Sequence, residues 1–348
     1  MAKSNECYIL TRYLYVKREV ENSLKQALLK KCEKETLFWA YELYYSGFIE
    51  DLLCILFNIY YEYYYIVNPS FESYLIVKYK LLMNSDELNQ PQIIYQIISN
   101  LIIRRKNEDV SNLLNMNKNI NVDVDVNKKI TLTKKFLDTQ NDKYDELAKI
   151  ILNVSVGERE KLMKKYEKIV EYFMLKGMLI KNNIRNVLKE LKNVFIEPSI
   201  IVLAHIIQHY KEYNKEEMGK SVYINLDEED EEEEMEKFYT YHTQYDEKND
   251  MYRNGWEVLK MVELYGVDCS RSRGNDCNTK KDIYDHWLYY ASFSPIWKKR
   301  IENYEGKICD VERKVVFVNE ENMDEFYNRY DLELDEQSSE IKRKIMGC

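Results

Sequence analysis

Glycine and proline are scarce in this chain of 348 residues, which contains 9 Gly and 4 Pro. All-β sandwiches spend both residue types on turns, and nucleotide-binding folds spend glycine on phosphate loops. Neither a Gly-x-Gly-x-x-Gly nor a Gly-x4-Gly-Lys-Ser/Thr string is present, so the sequence does not support a Rossmann or P-loop phosphate site. The composition predicts a mostly helical protein.

Cysteine and histidine are also sparse, with 7 Cys in irregular positions and 4 His. An odd number of cysteines does not form a disulfide framework, which favours a reducing compartment. His205 and His209 have the spacing of two metal ligands on a helix, but no third ligand is indicated, and we expect them to cap a buried helical face. Cys269, Cys277 and His286 match no zinc pattern and no nucleophile with a positioned base. We therefore predict no enzyme activity, no catalytic or metal-binding residue and no cofactor.

Long apolar runs are absent as well. The first ten residues lack the apolar core of a signal peptide, and charged or amide residues interrupt each apolar run before it reaches the roughly 20 residues of a membrane span. The expectation is a cytoplasmic protein without a membrane partner.

Positive charge is not in excess, because the formal net charge is −9. The acidic run at 227–234 supplies eight of these negative charges, which leaves −1 on the rest of the chain. Two local clusters are basic, Arg104-Arg105-Lys106 and Lys298-Lys299-Arg300, and cations at a helix end favourably oppose the helix dipole. The alternative is RNA binding by Arg104, Arg105, Lys298, Lys299 and Arg300 combined with aromatic stacking.

The stretch 35–72 is the densest in apolar and aromatic residues. Apolar residues at three- and four-residue spacing predict a helix that ends at Gly47, where glycine adopts the left-handed conformation cheaply. A second helix at 51–67, apolar nearly all round, ends before Pro69. Such a helical hairpin requires further helices on both sides, because it cannot bury its outer faces alone.

Helical periodicity recurs along the rest of the chain, and we predict an all-α fold of stacked antiparallel hairpins similar to HEAT arrays. The further predicted helices are 17–31, 70–83, 91–105, 142–153, 157–178, 182–194, 198–213, 256–265, 282–300 and 323–330. Residues 1–15 are expected to pack as an arm or a short strand.

The polar stretches divide the chain into five consecutive segments. We predict helical hairpins at 1–106, a polar and partly disordered insertion at 107–140, and a second helical group at 141–214. An acidic flexible loop follows at 215–252, because consecutive like charges repel and stay solvated. Residues 253–348 form a C-terminal helical region with a short irregular tail.

Three stretches carry a resemblance to a known family: ETLFWAYELYYSGF at 35–48, NPSFE at 68–72 and DHWLYYASFSPIWKKRI at 285–301. They resemble segments of an uncharacterised family of nucleocytoplasmic large DNA viruses of the mimivirus and algal-virus type. This resemblance implies a viral protein of the host cytoplasm and its virus factories, and it implies no activity. The predicted stack of helix pairs is also similar in architecture to the middle domain of the scaffold subunit of the translation-initiation cap-binding complex.

A short element near the C-terminus points to a partner. Tyr327 and Leu332 stand in the order Tyr-x4-Leu, which resembles the linear element by which scaffolds hold the cap-binding translation factor. Glu333 occupies the next position, where that pattern has an apolar residue, and Leu334 follows one step late.

We expect from these observations a non-enzymatic helical scaffold that binds other proteins. Its partners would include a cap-binding protein or a helicase of an initiation complex, or another gene-expression assembly. An RNA-binding protein and a virion structural component are the alternatives.

Overall fold

The computed structural model describes residues 8–12, 14–87, 89–119, 198–210, 218–219, 222–224 and 285–330, together with Val187 and Leu191. These residues are mostly helical and include one two-stranded antiparallel sheet, which confirms the predicted helical character. The α-helices are α1 (Lys17–Leu29), α2 (Glu33–Tyr45), α3 (Ile49–Ile59), α4 (Phe71–Asn84), α5 (Gln90–Ile102), α6 (Asp109–Asn119), α7 (Pro198–Tyr210), α8 (Trp287–Ala291), α9 (Pro295–Asn303) and α10 (Glu320–Tyr330). The strands are β1 (Lys307–Cys309) and β2 (Lys314–Val316).

The chain divides into two compact units, each assembled from separate stretches of sequence. The first unit comprises Met1–Leu52, Ser85–Ile102 and Ile224–Cys348, and the second comprises Leu53–Asn84 and Ile103–Tyr223. The five consecutive segments and the HEAT-like stacking stay predictions. None of the described helices combines the length and the apolar character that crossing a bilayer requires.

The core of the first unit forms where α1, α2 and α5 pack together. Trp39 of α2 is fully enclosed, and the hydroxyl of Tyr41 donates to the carbonyl oxygen of Pro91 at 3.0 Å. Gly47 follows α2 with φ +88°, as the sequence predicts. A Cβ atom at this position would lie 2.6 Å from the side chain of Pro295, so both the conformation and the close approach require glycine.

A tight loop before α1 inserts an arginine into the same core. Leu10 and Val16 form an isolated antiparallel bridge, and between them Arg12 pairs with Glu42 at 3.7 Å, with both side chains fully buried. The indole Nε1 of Trp297 donates to the carbonyl oxygen of Thr11 at 3.1 Å. The predicted N-terminal arm is therefore a loop held by polar contacts with two parts of its unit.

The C-terminal part of the first unit differs from the single helix predicted at 282–300. That prediction is wrong, because α8 ends before Ser292 and α9 starts after Ser294, whose hydroxyl caps the new helix by accepting from the Trp297 N–H at 3.4 Å. Proline at 295 disfavours helical geometry in the residue before it. The sequence analysis also missed the hairpin of β1 and β2, in which Ile308 lies opposite Val315.

The second unit contains an unusual change of helix type. The helix predicted at 51–67 is α-helical only through α3, and then continues as a π-helix at Tyr60–Tyr64 and a 3₁₀-helix at Tyr65–Val67. The Asn68 side chain ends it, because its Nδ2 donates to the carbonyl oxygen of Tyr64 at 2.9 Å. A π-helical turn is rare and often marks a functional region.

Helix α6 lies inside the stretch predicted to be a polar insertion without helical structure. For Asp109–Asn119 that prediction is wrong. Val110 and Leu113 are buried, and this apolar pair supplies the packing that its asparagine-rich composition hides. The remainder of 107–140 lies outside the described residues.

Candidate functional site

A buried polar network joins α4 to α7 and to the π-helical segment of the second unit. Glu72 of α4 and His205 of α7 are only 3% and 5% exposed, and His205 Nε2 lies 3.0 Å from Glu72 Oε1. The hydroxyl of Tyr61 donates to the same Glu72 oxygen at 2.9 Å. On the other side of the imidazole, the Tyr65 hydroxyl lies 2.5 Å from His205 Nδ1. Four side chains, from α4, α7, the π-helix and the 3₁₀-helix that follows it, thus form one continuous hydrogen-bonded chain.

The pattern of donors and acceptors in this network is self-consistent. A carboxylate only accepts, so the pattern fits the imidazole tautomer with its proton on Nε2 and with Nδ1 accepting from Tyr65. Burial, and then the nearby Glu72 charge, raise the pKa of both Tyr61 and Tyr65 well above the ordinary value of 10.0. The two phenols therefore stay protonated as donors at neutral pH, and neither is activated as a nucleophile.

The hydrogen bonds of His205 bear on whether this residue could bind a metal ion. Both of its ring nitrogens are engaged, one by Tyr65 and one by Glu72. The side chain of His209 lies outside the described part of the chain. Within that part, no group of three or more His, Cys, Asp or Glu side chains is arranged to hold a metal ion. Cys269 and Cys277 also lie outside the described residues, and His286 directly precedes α8.

The network fixes which side of α4 faces inward. Leu75 and Leu82 are buried on the same side as Glu72. Arg104 adds a second contact near the start of α4, because its guanidinium carbon lies 4.5 Å from the ring centre of Phe71 and 4.7 Å from that of Tyr223. A buried carboxylate and a stacked guanidinium each have strict geometric needs, so together they set the rotation of α4 about its own axis.

The opposite side of α4 presents apolar residues to solvent. Val77 and Leu81 are 61% and 47% exposed, and Tyr74 is half-buried beside them. Val77 and Leu81 are four residues apart, which places them in one stripe along the helix. The ring of Tyr74 packs within the unit, with its centre 5.0 Å from those of Phe71 and Tyr223. We call Val77 and Leu81 the outer stripe of α4.

Each predicted basic cluster contains one arginine that is not available to a ligand. Arg104 and Arg300 are buried, the latter with its guanidinium carbon 4.7 Å from the ring centre of Trp297. Arg105, Lys298 and Lys299 are exposed. The structure thus separates the five predicted nucleic-acid contacts into two core residues and three surface residues.

The predicted partner element at the C-terminus is only partly described. Tyr327 lies on α10, half-buried, with its ring centre 5.5 Å from that of Phe326 and 6.3 Å from that of Phe317. Leu332 and Leu334 lie outside the described residues. Protein binding by these three residues stays a prediction.

Sequence reasoning missed the outer stripe, although a signal was present. The periodicity predicted a helix at 70–83, and α4 spans Phe71–Asn84. Nine of its fourteen residues are apolar or aromatic, more than one buried face can use. Counting apolar residues beyond one face would have indicated a second contact surface.

Comparison with known proteins adds no relative: no protein-family model, no curated protein and no solved structure matches the chain. The resemblance to a viral family, which rests on the sequence stretches quoted above, stays a prediction. So does the likeness to a translation-initiation scaffold, which rests on the predicted stack of helix pairs.

Proposed function

We propose that this chain is a non-enzymatic helical adaptor that binds other proteins, and that the outer stripe of α4 is one of its binding surfaces. The observation that carries the proposal is the exposure of Val77 and Leu81 on a helix whose other side is locked into the core by Glu72. Exposed apolar residues on a fixed helix are one kind of surface on which a partner's apolar segment packs.

The buried polar groups support the adaptor over an enzyme. Glu72, His205 and Tyr61 are buried, and Tyr61 and His205 both hydrogen-bond to Glu72. These hydrogen bonds link the helices that carry the three residues. A catalytic site needs such groups in reach of a substrate. The raised pKa of Tyr65 points the same way, since an activating environment would lower it.

The proposal is tested by quantitative affinity purification from cells that express the full chain. The variant Val77→Asp/Leu81→Asp places two charges on the outer stripe, and we expect it to lose a specific set of co-purifying proteins. The matched control Val311→Asp/Val318→Asp makes the same chemical change at exposed positions of the first unit, which are 94% and 60% exposed.

Circular dichroism of both variants checks that the helices remain folded. Loss of partners from the α4 variant alone supports the adaptor. Equal recovery of every partner with the wild type and the α4 variant overturns the proposed surface.

We also propose which kind of protein the adaptor binds. The Tyr-x4-Leu string around Tyr327 supports a cap-binding protein or a helicase of an initiation complex. A stack of helical hairpins of the HEAT type, in the cytoplasm of a virus-infected host, is the setting in which such an adaptor would act. Truncation after residue 319, which removes α10 and all that follows it, separates a contribution of this element from that of α4.

RNA binding is the second candidate, and one observation favours it. Lys298 and Lys299 are exposed on α9, and neither forms an ion pair within the described residues. Its support is weaker, because Arg104 and Arg300 stack on aromatic rings of their own units. Retention of the chain on immobilised RNA that weakens steeply with added salt would support this candidate, and absence of retention at low ionic strength would remove it.

A further inference from the structure

A short segment of the second unit lies against the start of α4. We call residues 218–219 and 222–223 the strap, and these described residues belong to no helix or strand. The ring of Tyr223 packs on α4, with its centre 5.0 Å from that of Tyr74 and 6.2 Å from that of Phe71. Contacts with other elements, and not its own secondary structure, therefore hold the strap in place.

The backbone of the strap is bound at two points. The N–H of Gly219 donates to the carbonyl oxygen of Val67 at 2.6 Å. The guanidinium of Arg104 donates to the carbonyl oxygen of Val222, and its carbon lies 4.7 Å from the ring centre of Tyr223. A charged donor forms a strong hydrogen bond, and a cation is attracted to an aromatic ring. One arginine thus recognises a carbonyl group and the aromatic side chain that follows it.

The residues of the strap contribute unequally to this recognition. The side chain of Val222 is 54% exposed, so its identity matters little. At Gly219, a Cβ atom would overlap the side-chain oxygen of Asn68, and only glycine allows this close approach. The contacts therefore select a glycine followed four residues later by an aromatic ring, a pattern that we write Gly-x3-Tyr. A segment of another protein with this pattern can form the same contacts.

The strap competes with any such segment, because it belongs to the same chain as its binding site. A tethered segment has an effective concentration in the millimolar range, so an outside segment must displace it. Displacement breaks no helix or strand, since the strap forms neither. Arg104, which is 3% exposed with the strap in place, would then bind the incoming carbonyl group.

We infer that Phe71, Tyr74 and Arg104 form a binding site for a linear Gly-x3-Tyr or Gly-x3-Phe segment of a partner protein, and that the strap occupies this site in the free chain. The inference goes beyond the proposed adaptor surface, because it uses the start of α4 and not Val77 and Leu81. Failure of one therefore leaves the other standing.

The test uses the full chain and a fluorescent peptide with the sequence of residues 218–226. The variant Gly219→Ala/Tyr223→Ala releases the strap, because the new Cβ atom overlaps Asn68 and the ring contacts are lost. Fluorescence anisotropy is expected to show that the peptide binds this variant at least about tenfold more tightly than it binds the wild type. A control peptide with alanine in place of its tyrosine should not bind. The control variant Val222→Ala should behave as the wild type.

Two further measurements locate the contact and guard against misfolding. Adding Tyr74→Ala to the released variant removes one wall of the site and should weaken peptide binding about two- to tenfold. If circular dichroism shows that the released variant is unfolded, hydrogen exchange of the wild type decides instead. Millimolar peptide should accelerate exchange in the strap, and the control peptide should not.

Each outcome either supports the inference or overturns it. Tighter binding to the released variant than to the wild type, without binding of the control peptide, supports it. Equal binding to both chains means that the strap does not occupy the site, and equal binding of both peptides means that the ring is not recognised. Either result overturns the inference. So does the absence of binding to a folded released variant or, where that variant is unfolded, unchanged exchange of the strap in the wild type.

Discussion

Removal of the His205 imidazole is the most demanding test of how α4 is held. In His205→Ala, the Glu72 carboxylate stays buried and keeps the Tyr61 hydroxyl while it loses its histidine partner. A hydrogen bond to a buried charged group contributes about 1.5–3 kcal/mol, and its loss leaves the carboxylate with one donor fewer. The Tyr65 hydroxyl also loses its acceptor, and an unsatisfied buried donor costs about 1–3 kcal/mol.

The variant Glu72→Gln provides the other arm of a double-mutant cycle. Its amide oxygen can still accept from Tyr61 and from His205, so we expect it to cost only about 1–2 kcal/mol. In Glu72→Gln/His205→Ala, the side chain at position 72 carries no charge, so no buried carboxylate loses a donor. The double variant should therefore be more stable than the sum of the single effects predicts, by about 1.5–3 kcal/mol.

Two measurements are needed, because a chain of two units need not unfold in one step. Urea unfolding followed by circular dichroism gives the overall stability, and hydrogen exchange of peptides from α4 and α7 reports local opening. Glu108→Gln, at an exposed position, serves as the control and should change stability by less than about 0.5 kcal/mol. Additive single effects, or a cost below about 1 kcal/mol for His205→Ala, would refute the reasoning.

Three further predictions concern other buried groups. Arg12→Met and Glu42→Met should each destabilise the first unit more than the double replacement does, by urea unfolding, because each single change leaves one buried charge. Because burial raises the pKa of Tyr61 and Tyr65 above 10.0, the unfolded chain releases protons there that the folded chain retains. The free energy of unfolding should then fall above that pH, and less steeply in Tyr61→Phe. Gly47→Ala should lower the melting temperature, since its φ of +88° strains any other residue; an unchanged melting temperature would contradict this.

Local periodicity was sufficient to predict most of the described helices. Helices α1, α2, α4 and α5 lie within a few residues of their predicted limits, because each combines an apolar stripe with a recognisable end such as Gly47. The Tyr60–Tyr64 stretch could not be assigned to a π-helix, since its apolar periodicity suits an α-helix equally well. The segment's contacts to α4 through Tyr61 and to α7 through Tyr65 join distant parts of the chain, and no local pattern shows them.

The candidate site could not be predicted, because its contacts join distant parts of the chain. Glu72 and His205 are 133 residues apart, and no local pattern pairs them. The division of the basic clusters into buried and exposed residues could not be predicted for a related reason. Sequence shows three adjacent cations, whereas helical geometry turns Arg300 inward onto Trp297 and leaves Lys298 and Lys299 outside.

Whether the outer stripe of α4 receives another protein is tested most directly by a photo-crosslinking amino acid at position 77 of the full chain, expressed in cells. The account predicts crosslinked products that contain a second protein, and none of these when the crosslinker replaces buried Leu75. Products in which position 77 is joined only to other residues of the same chain would contradict it, because the stripe would then be covered from within.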